Sequence, residues 1–446
     1  MTHVDIVIPK PVCKALDLLR DAGFEGFVVG GCVRDFLLHR EPGDWDITTN
    51  ALPEQTKEVF SDYRTVDVGI KHGTVAVLID DMLIEITTYR VDGEYLDNRH
   101  PKDVTFTRNL REDLARRDFT VNALACSKDG ELVDEFGGMK DLNDRVIRCV
   151  GNPDERFAED ALRIMRALRF SATLGFSIDG ETSASIHKNR ELLKNIAAER
   201  VTEELLKLLC GEDVTRILVD YRDVFAVIIP ELEPCFDFDQ KNRHHVYDVY
   251  THIAHSVGGT RALPDVRLAL LLHDIGKPDC FFVDDGGVGH AYGHAEKSAE
   301  LAQKALSRLR LSSDMQETVL TLVRFHDYPV EPSAKIIRRR LNKFGPELFE
   351  KLMYVKMGDN FAHNREINDF EPLILEILEL AKEQENECFT VKGLDIDGND
   401  LKALGFEGEK IGRILNALLD EVMDEKLENT HEKLIERATA LGTGED

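Results

Sequence analysis

Two aspartates one residue apart, Asp44 and Asp46 in "EPGDWDITTN", follow closely on a pair of glycines, Gly30-Gly31 in "FVVGGCVRDFLLHR". Alternate residues of an extended segment point to the same side, so both carboxylates can grip hard divalent cations. Metals on shared carboxylates suit in-line displacement at phosphorus. Without a cation, like charges on one strand face repel. The plainer alternative is a solvated turn after Pro42-Gly43. A third acid is expected from a neighbouring strand. Glu85 in "MLIEITTYR" lies in an apolar β run where an unpaired carboxylate is costly. It can assist metal binding or accept a hydroxyl proton, unless it faces the surface. Gly30-Gly31 ends an apolar strand and opens a helix, Cys32 to His39, whose free amides can cradle phosphate. The same corner also occurs as a purely structural feature.

Three further stretches carry chemistry. In "LARRDFTVNALA", Arg116 and Arg117 offer guanidiniums for phosphate and Asp118 a carboxylate for ribose hydroxyls. Alternatively, these are an exposed helix start with Asp118 as its cap. In "AEDALRIMRALRF", Glu159, Asp160 and Arg163 precede Arg166 and Arg169. Asp160 and Arg163, three apart on an expected helix, share a face and can form an ordinary salt bridge worth about 0.3 kcal/mol. A third region repeats His and His-Asp on expected helices. His273-Asp274 ends an apolar helix before Gly276, His252 lies on an earlier helix, and His294, His326 and Asp327 follow. Mixed nitrogen and oxygen ligands suit a transition metal or Mg²⁺.

The elements that must position these groups divide the 446 residues into several domains. Residues 1–148 mix strands (Phe27–Val29, Thr74–Ile79, Met82–Thr88, with Asp80-Asp81 as a hairpin turn) with a helix over Pro11–Ala22. From "GNPDERFAEDALRIM" the apolar period becomes helical, with Asn152 as N-cap and Pro153 at N1. A turn-rich stretch near residue 235 precedes the histidine-rich helices, and residues 386–446 open with turns before an amphipathic helix. The expected fold is α+β: a catalytic head over 1–148, a helical neck over 149–234, a metal-binding helical domain over 235–385 and a helical tail over 386–446.

With 56 basic and 83 acidic residues the formal charge is −27, which argues against nucleic-acid binding through the whole surface. Any such partner meets local basic groups, as in "AKIIRRRLNKFG" or the Arg163, Arg166, Arg169 row, each of which can equally be a solvated helix face. The eight cysteines are scattered, without a C-x-x-C, and read as reduced thiols. No basic-then-apolar leader and no apolar run of about 18 residues is present, so the expectation is a cytoplasmic protein with no membrane contact. No protein partner is inferred.

G-G-x-V-R-D followed by D-x-D resembles the signature of the nucleotidyltransferase superfamily that includes DNA polymerase β. The longer "GGCVRD…DWDITTNA" resembles class II tRNA nucleotidyltransferases, the CCA-adding enzymes, and bacterial poly(A) polymerases. The resemblance implies a polymerase β-like head with a mixed sheet. It makes Asp44 and Asp46 ligands of catalytic Mg²⁺ and assigns Gly30, Gly31 and Arg34 to the triphosphate. It gives Arg116, Arg117 and Asp118 ribose and phosphate roles, and identifies Glu159, Asp160 and Arg163 with the family's E-D-x-x-R. A carboxylate beside a guanidinium matches the Watson–Crick edges of cytosine and adenine and mismatches guanine and uracil, so the pair would choose CTP and ATP without a template. In the family a flexible loop, here "RVDGEYLDNRHPKDVTFTRNL", helps the switch from C to A addition.

The histidine region resembles the HD phosphohydrolase superfamily, whose H…HD…D ligands map most simply onto His252, His273, Asp274 and Asp327. His244, His245 and His255 compete for the first place, and His294 and His326 are further candidates. The resemblance implies a divalent metal of unknown identity and activity on 2′,3′-cyclic or 2′-phosphate ends, or a degenerate structural module. By resemblance the tail contacts the tRNA elbow. The expected function is CCA addition to tRNA from CTP and ATP. The rivals are a bacterial poly(A) polymerase, a partial C- or A-adding enzyme, and an HD phosphohydrolase with a nucleotide-sensing head.

Overall fold

The computed structural model describes residues 2–69, 73–93, 104–367 and 369–443. The chain falls into two compact units, Met1–Pro230 and Glu231–Asp446.

Among the described residues the first unit has, besides a short parallel pair (Val146–Ile147 with Ser177–Ile178), ten strands: β1 (Thr2–His3), β2 (Gly26–Val29), β3 (Asp46–Thr49), β4 (Arg64–Gly69), β5 (Thr74–Ile79), β6 (Met82–Thr88), β7 (Arg90–Asp92), β8 (Val104–Phe106), β9 (Leu124–Cys126) and β10 (Glu131–Asp134). Eight of them form one mixed sheet in the order β1-β10-β9-β2-β3-β6-β5-β4, while β7 and β8 pair separately. The sheet is antiparallel except where β3 runs parallel to β6. That exception sets Asp46 opposite Glu85. The β5–β6 hairpin turns at Asp80 and Asp81, both with positive φ (47° and 65°), a conformation that Asp tolerates better than most residues. Val28, Val29, Ile47, Ile84 and Ile86 are buried, so each strand presents an apolar face to the core.

Gly30 leaves β2 with φ 81° and starts the helix Gly31–Leu37. A Cβ at this position would also lie 2.9 Å from Arg117 Nη1. The backbone conformation therefore favours glycine, while the Arg117 tip could shift aside. Gly30→Ala is expected to lower unfolding stability by about 1–3 kcal/mol, measurable by urea denaturation.

After the sheet, Asn152 caps the helix Pro153–Glu159 by accepting from Asp154 N at 3.0 Å, with Pro153 at its first position. The chain breaks at Asp160, which has extended backbone (φ −134°, ψ 103°), before the helix Leu162–Leu174. That helix packs on Ala198–Leu209.

The second unit is helical. Val249–Gly258, Pro264–Leu272 and Pro346–Phe361 pack on one another, and Pro264–Leu272 also meets Ser313–Phe325. A Cβ at Gly358 would sit 2.5 Å from Leu270 Cδ1 and 2.6 Å from Ser256 O, so glycine permits three helices to converge beside Asp359. The C-terminal residues have their own core, including Leu401, Leu418, Leu419 and Leu434. No helix among the described residues is long and apolar enough to cross a membrane.

Candidate active sites

The head's residues converge on a cavity of about 400 Å³ lined by Gly30, Gly31, Arg34, Asp44, Asp46, Arg117, Asp118, Arg166 and Arg169, together with Asn122 and Phe170. Strand alternation arranges the acids. Trp45 is buried between them, whereas Asp44 and Asp46 face out. Glu85 also faces solvent, beside Asp46 on the parallel strand. Burial within the concave site pushes Asp46 up to about 6, with Glu85 and Asp44 adding to the rise and Arg117 opposing it. Among the described residues none of these three acids has a salt-bridge partner. Asp44 and Asp46 line the cavity and Glu85 does not, and among the described residues the three carboxylates are not gathered closely enough to form a ready-made ligand group.

The opposite wall is cationic. Three guanidiniums surround the Phe170 ring, with those of Arg34, Arg166 and Arg169 at 4.8, 5.4 and 4.0 Å from its centroid. Each is held from behind by an acid or amide. Arg34 donates to both oxygens of Asp35 at 2.8 and 2.9 Å and to Asn122 Oδ1 at 2.7 Å. Arg166 donates to Asp118 Oδ2 at 2.8 Å, and Arg169 to Glu204. Asp118 also accepts from Asn122 Nδ2 at 3.0 Å and from Phe119 N at 2.8 Å. Burial disfavours its charge, but Arg166 and Asn122 outweigh that and hold its carboxyl down at about 2. The wall is thus pre-organised for a polyanion before one arrives.

Arg116 stands apart from this wall. It donates to buried Asp113 at 2.9 Å, which also accepts from Thr48 at 3.0 Å. Arg117 faces the cavity, so the two adjacent arginines divide between bracing and lining.

Asp160 and Arg163 do not form a side-by-side pair here. The helix break at Asp160 removes the shared face that spacing alone suggests, because the two residues do not lie on one continuous helix. Arg163, only 8% exposed, donates to Glu159 Oε2 at 2.6 Å and to the carbonyls of Arg156 and Arg116 at 3.1 and 2.9 Å. Asp160 caps Leu162 N at 3.1 Å and meets Arg200 at 3.2 Å. None of Glu159, Asp160 and Arg163 lines the cavity. The loop expected to assist the C-to-A switch lies in part outside the described residues, over 94–103, and its described ends pair as β7 and β8.

The second unit gathers a different donor set around a cavity of about 530 Å³. His252, His273, Asp274 and Asp359 form one group of potential metal ligands, and Asp274, His294 and His326 another. Four histidines are oriented alike. Nδ1 of His252, His273, His294 and His326 lies 3.4, 2.7, 2.9 and 2.7 Å from the carbonyls of Ala362, Leu270, Ala291 and Val323. A carbonyl only accepts, so each Nδ1 carries a proton and each Nε2 is turned inward, with a lone pair to present wherever it does not take up a second proton. His294 Nε2 and His326 Nε2 then face each other at 3.1 Å, and His252 Nε2 faces Asp359 Oδ1 at 2.9 Å. Such contacts between acceptors require a cation or an added proton.

Asp274 sits between the two groups. Its Oδ2 lies 3.3 Å from both His252 Nε2 and His273 Nε2, and its Oδ1 lies 3.3 Å from His294 Nε2. Both oxygens are buried and accept no well-directed hydrogen bond, although Lys277 Nζ approaches Oδ2 at 2.6 Å. Burial alone would lower His273, but Asp274 and Asp359 hold it up at about 10. Burial, with His273 next, holds His326 down at about 3. These residues fit a divalent metal with mixed nitrogen and oxygen ligands.

Asp327 is not among them. It is exposed just beyond the helix Ser313–Phe325 and lines the cavity without joining either group, whereas Asp359 lies in the group with His252, His273 and Asp274. His245 belongs to a further group with His252 and His363. His255 instead stacks on Tyr247 at 4.2 Å, and His244 lines the cavity. The basic row "AKIIRRRLNKF" is spent internally. Arg338 meets Glu425, Arg339 and Lys335 meet Asp424, and Arg340 and Lys343 lie over Tyr328 and Phe325.

Residues 26–148 match the family described as the poly A polymerase head domain. Residues 175–236 match "Probable RNA and SrmB- binding site of polymerase A", and residues 293–438 match tRNA nucleotidyltransferase domain 2, which crosses the division expected near residue 385. A CCA-adding enzyme of Lactobacillus delbrueckii subsp. bulgaricus is 50% identical over 222 residues, covering 50% of this chain and 56% of that protein. One from Enterococcus faecalis is 51% identical over 207 residues, or 46% and 50% of the two chains. The chain thus spans about half the length of the curated relatives it matches. The structure of a Bacillus stearothermophilus CCA-adding enzyme in complex with CTP is similar over 98% of this chain and 99% of that one, with a TM-score of 0.75 and 27% identity. A Thermotoga maritima CCA-adding enzyme complexed with tRNA shares the fold at a TM-score of 0.62 and 21% identity, over 99% and 97% of the chains.

Proposed function

We propose that this chain adds CCA to the 3′ end of tRNA from CTP and ATP, releasing pyrophosphate, as a cytoplasmic activity. The observation that carries the reading is the cavity in which the glycine turn, Asp44 and Asp46 face Arg34, Arg117, Arg166 and Arg169. Its support is the likeness, over nearly the whole chain, to a CCA-adding enzyme in complex with CTP. Asp44 and Asp46, with Glu85 beside them, hold Mg²⁺, which when bound neutralises charge on the transferred phosphoryl group and acidifies the attacking hydroxyl. The amide end of Gly31 and the four guanidiniums take the triphosphate, and Asp118 orients Arg166 and Asn122 around it. The reading is tested by sequencing the 3′ product made from a tRNA lacking CCA with all four nucleotides present. A CCA end is expected. An oligo(A) product favours a poly(A) polymerase, a CC or single-A end a partial enzyme, and no extension the nucleotide-sensing head.

Base choice is assigned to Asp160 and Arg163, which requires Arg163 to exchange Glu159 and two carbonyls for a base edge. Arg163→Ala is expected to cost about 1–3 kcal/mol of stability by leaving those carbonyls unpaired. It should also lower CTP and ATP incorporation together, and reduce discrimination against UTP by about 1–3 kcal/mol. Values of kcat/KM for all four nucleotides in Arg163→Ala and Asp160→Ala decide this. Unchanged selectivity in both variants moves base choice to other residues.

A second reading belongs to the second unit, where the inward Nε2 atoms of four histidines and the shared Asp274 support a metal-dependent phosphoesterase of the HD type. The metal is divalent and its identity open. When bound it supplies an activated water and neutralises phosphate charge.

A further inference from the structure

The metal-ligand cavity of the second unit has an aromatic rim that none of its proposed ligands uses. Phe282 and His290 lie across a short hairpin, Phe282–Val283 with Gly289–His290. Their rings stack at 5.3 Å and 30°, and His290 stacks on Tyr292 at 5.3 Å and 21°. Tyr292 lines the cavity, yet it is 74% exposed. The stack is held in place rather than floppy. Asp284 accepts from His290 Nε2 at 2.8 Å and from the amides of Gly286 and Val288 at 2.9 Å each. Gly289 N donates to Lys241 O at 2.9 Å, which ties the hairpin to the cavity wall.

A rigid aromatic ladder ending in a solvent-facing ring is an unfavourable use of apolar surface unless something flat covers it. At the cavity floor lie the histidine and aspartate groups and Lys277, whose Nζ donates to Gln240 Oε1 at 3.0 Å. The arrangement is therefore bipolar: a cation-binding floor for a phosphoester and a π-face at the rim. A cavity of about 530 Å³ lies within the 300–1,000 Å³ or so of small-ligand sites.

We propose that Tyr292, backed by His290 and Phe282, is the specificity platform of this site, stacking the base of a nucleoside phosphoester whose phosphate is held at the floor. The inference rests on the phosphoesterase reading for its chemistry and substrate class, and goes beyond it in naming Tyr292 as the residue that selects for a base beside the phosphate. Stacking tolerates any base, so the selection is for a base next to the phosphate, not for its identity. Two sources share that chemistry, a free nucleotide and an RNA end.

The test uses the full chain loaded with Mn²⁺ and, in parallel, Zn²⁺. Hydrolysis is followed for adenosine 2′,3′-cyclic phosphate, for a short RNA ending in a 2′,3′-cyclic phosphate, and for glycerol cyclic phosphate, which has no ring. Tyr292→Ala is expected to raise KM for the base-bearing substrates about 5- to 100-fold, the usual loss of one stacked base, with kcat within about twofold. Glycerol cyclic phosphate should be unaffected, and Tyr292→Phe should restore KM because the ring remains. A KM effect on the RNA alone identifies an RNA end as the substrate, and an effect on both base-bearing substrates a nucleotide site. An equal effect on all three substrates, or on none, overturns the platform. If the parent chain hydrolyses none of them, the phosphoesterase reading fails. Equilibrium dialysis of adenosine 2′-phosphate against parent and Tyr292→Ala then decides the platform: weaker binding by the variant sustains it, and equal binding overturns it.

Discussion

Asp44→Ala or Asp46→Ala is expected to abolish nucleotide addition, lowering kcat/KM by at least about 10³-fold while leaving the fold intact. The reason is electrostatic. Transfer of a phosphoryl group depends on charge neutralisation at the reacting centre, and positioned guanidiniums alone do not replace a cation held by carboxylates. Activity within about twofold of the parent in both variants would sink the metal assignment. Stability gives an independent readout. At pH 7.5 Asp46, whose carboxyl is pushed up to about 6 by burial and then by Glu85 and Asp44, is charged, poorly solvated and repelled by those acids when no metal is bound. The metal-free Asp46→Asn variant should therefore be more stable than the parent by about 1 kcal/mol, a value discounted for solvent access. Mg²⁺ should raise the parent's Tm and leave that of the variant nearly unchanged. Hydrolysis at the histidine centre should persist in every head variant, since loss of both activities would mean that the two sites are not independent.

The parts of the head that sequence spacing reveals are those fixed by local rules. Asp80-Asp81 turns because two short polar residues bridge two β-rich runs, and Asn152-Pro153 opens a helix because an amide caps and proline fits the first turn. Alternation puts Trp45 inside and its flanking aspartates outside. What escapes local rules is how distant elements meet. Asn122 and Phe170 complete the cationic wall, yet read in sequence as ordinary polar and core residues. Asp160 reads as mid-helix because nothing in "AEDALRIM" breaks a helix, and only the structure bends the chain there. The basic helix Ala334–Phe344 reads as free charge, because its acidic partners Asp424 and Glu425 are more than 80 residues away. Asp359 left one legible trace. It stands four residues before His363, whose Nε2 lies 3.7 Å from its Oδ1 although His363 follows the end of the helix Pro346–Phe361.

Asp274→Ala is expected to remove metal from the second unit altogether and with it any phosphoester hydrolysis, whereas Asp327→Ala should leave both unchanged. The asymmetry follows from the two oxygens of Asp274, one turned to His252 and His273 and the other to His294. Losing that carboxylate strips both ligand groups at once, while each single histidine belongs to only one side of the divide. Asp359→Ala should be intermediate, emptying the group with His252 and His273 while His294, His326 and Asp274 keep a weaker site. Metal per chain, measured by elemental analysis after dialysis, ranks the variants directly. CCA addition, measured on the same preparations, should stay at the parent level. If Asp327→Ala loses metal and Asp359→Ala keeps it, the fourth ligand is Asp327, as the resemblance to HD phosphohydrolases implies. Such a result would mean that the 2.9 Å approach of Asp359 to His252 is an ordinary buried hydrogen bond between a protonated imidazole and a carboxylate.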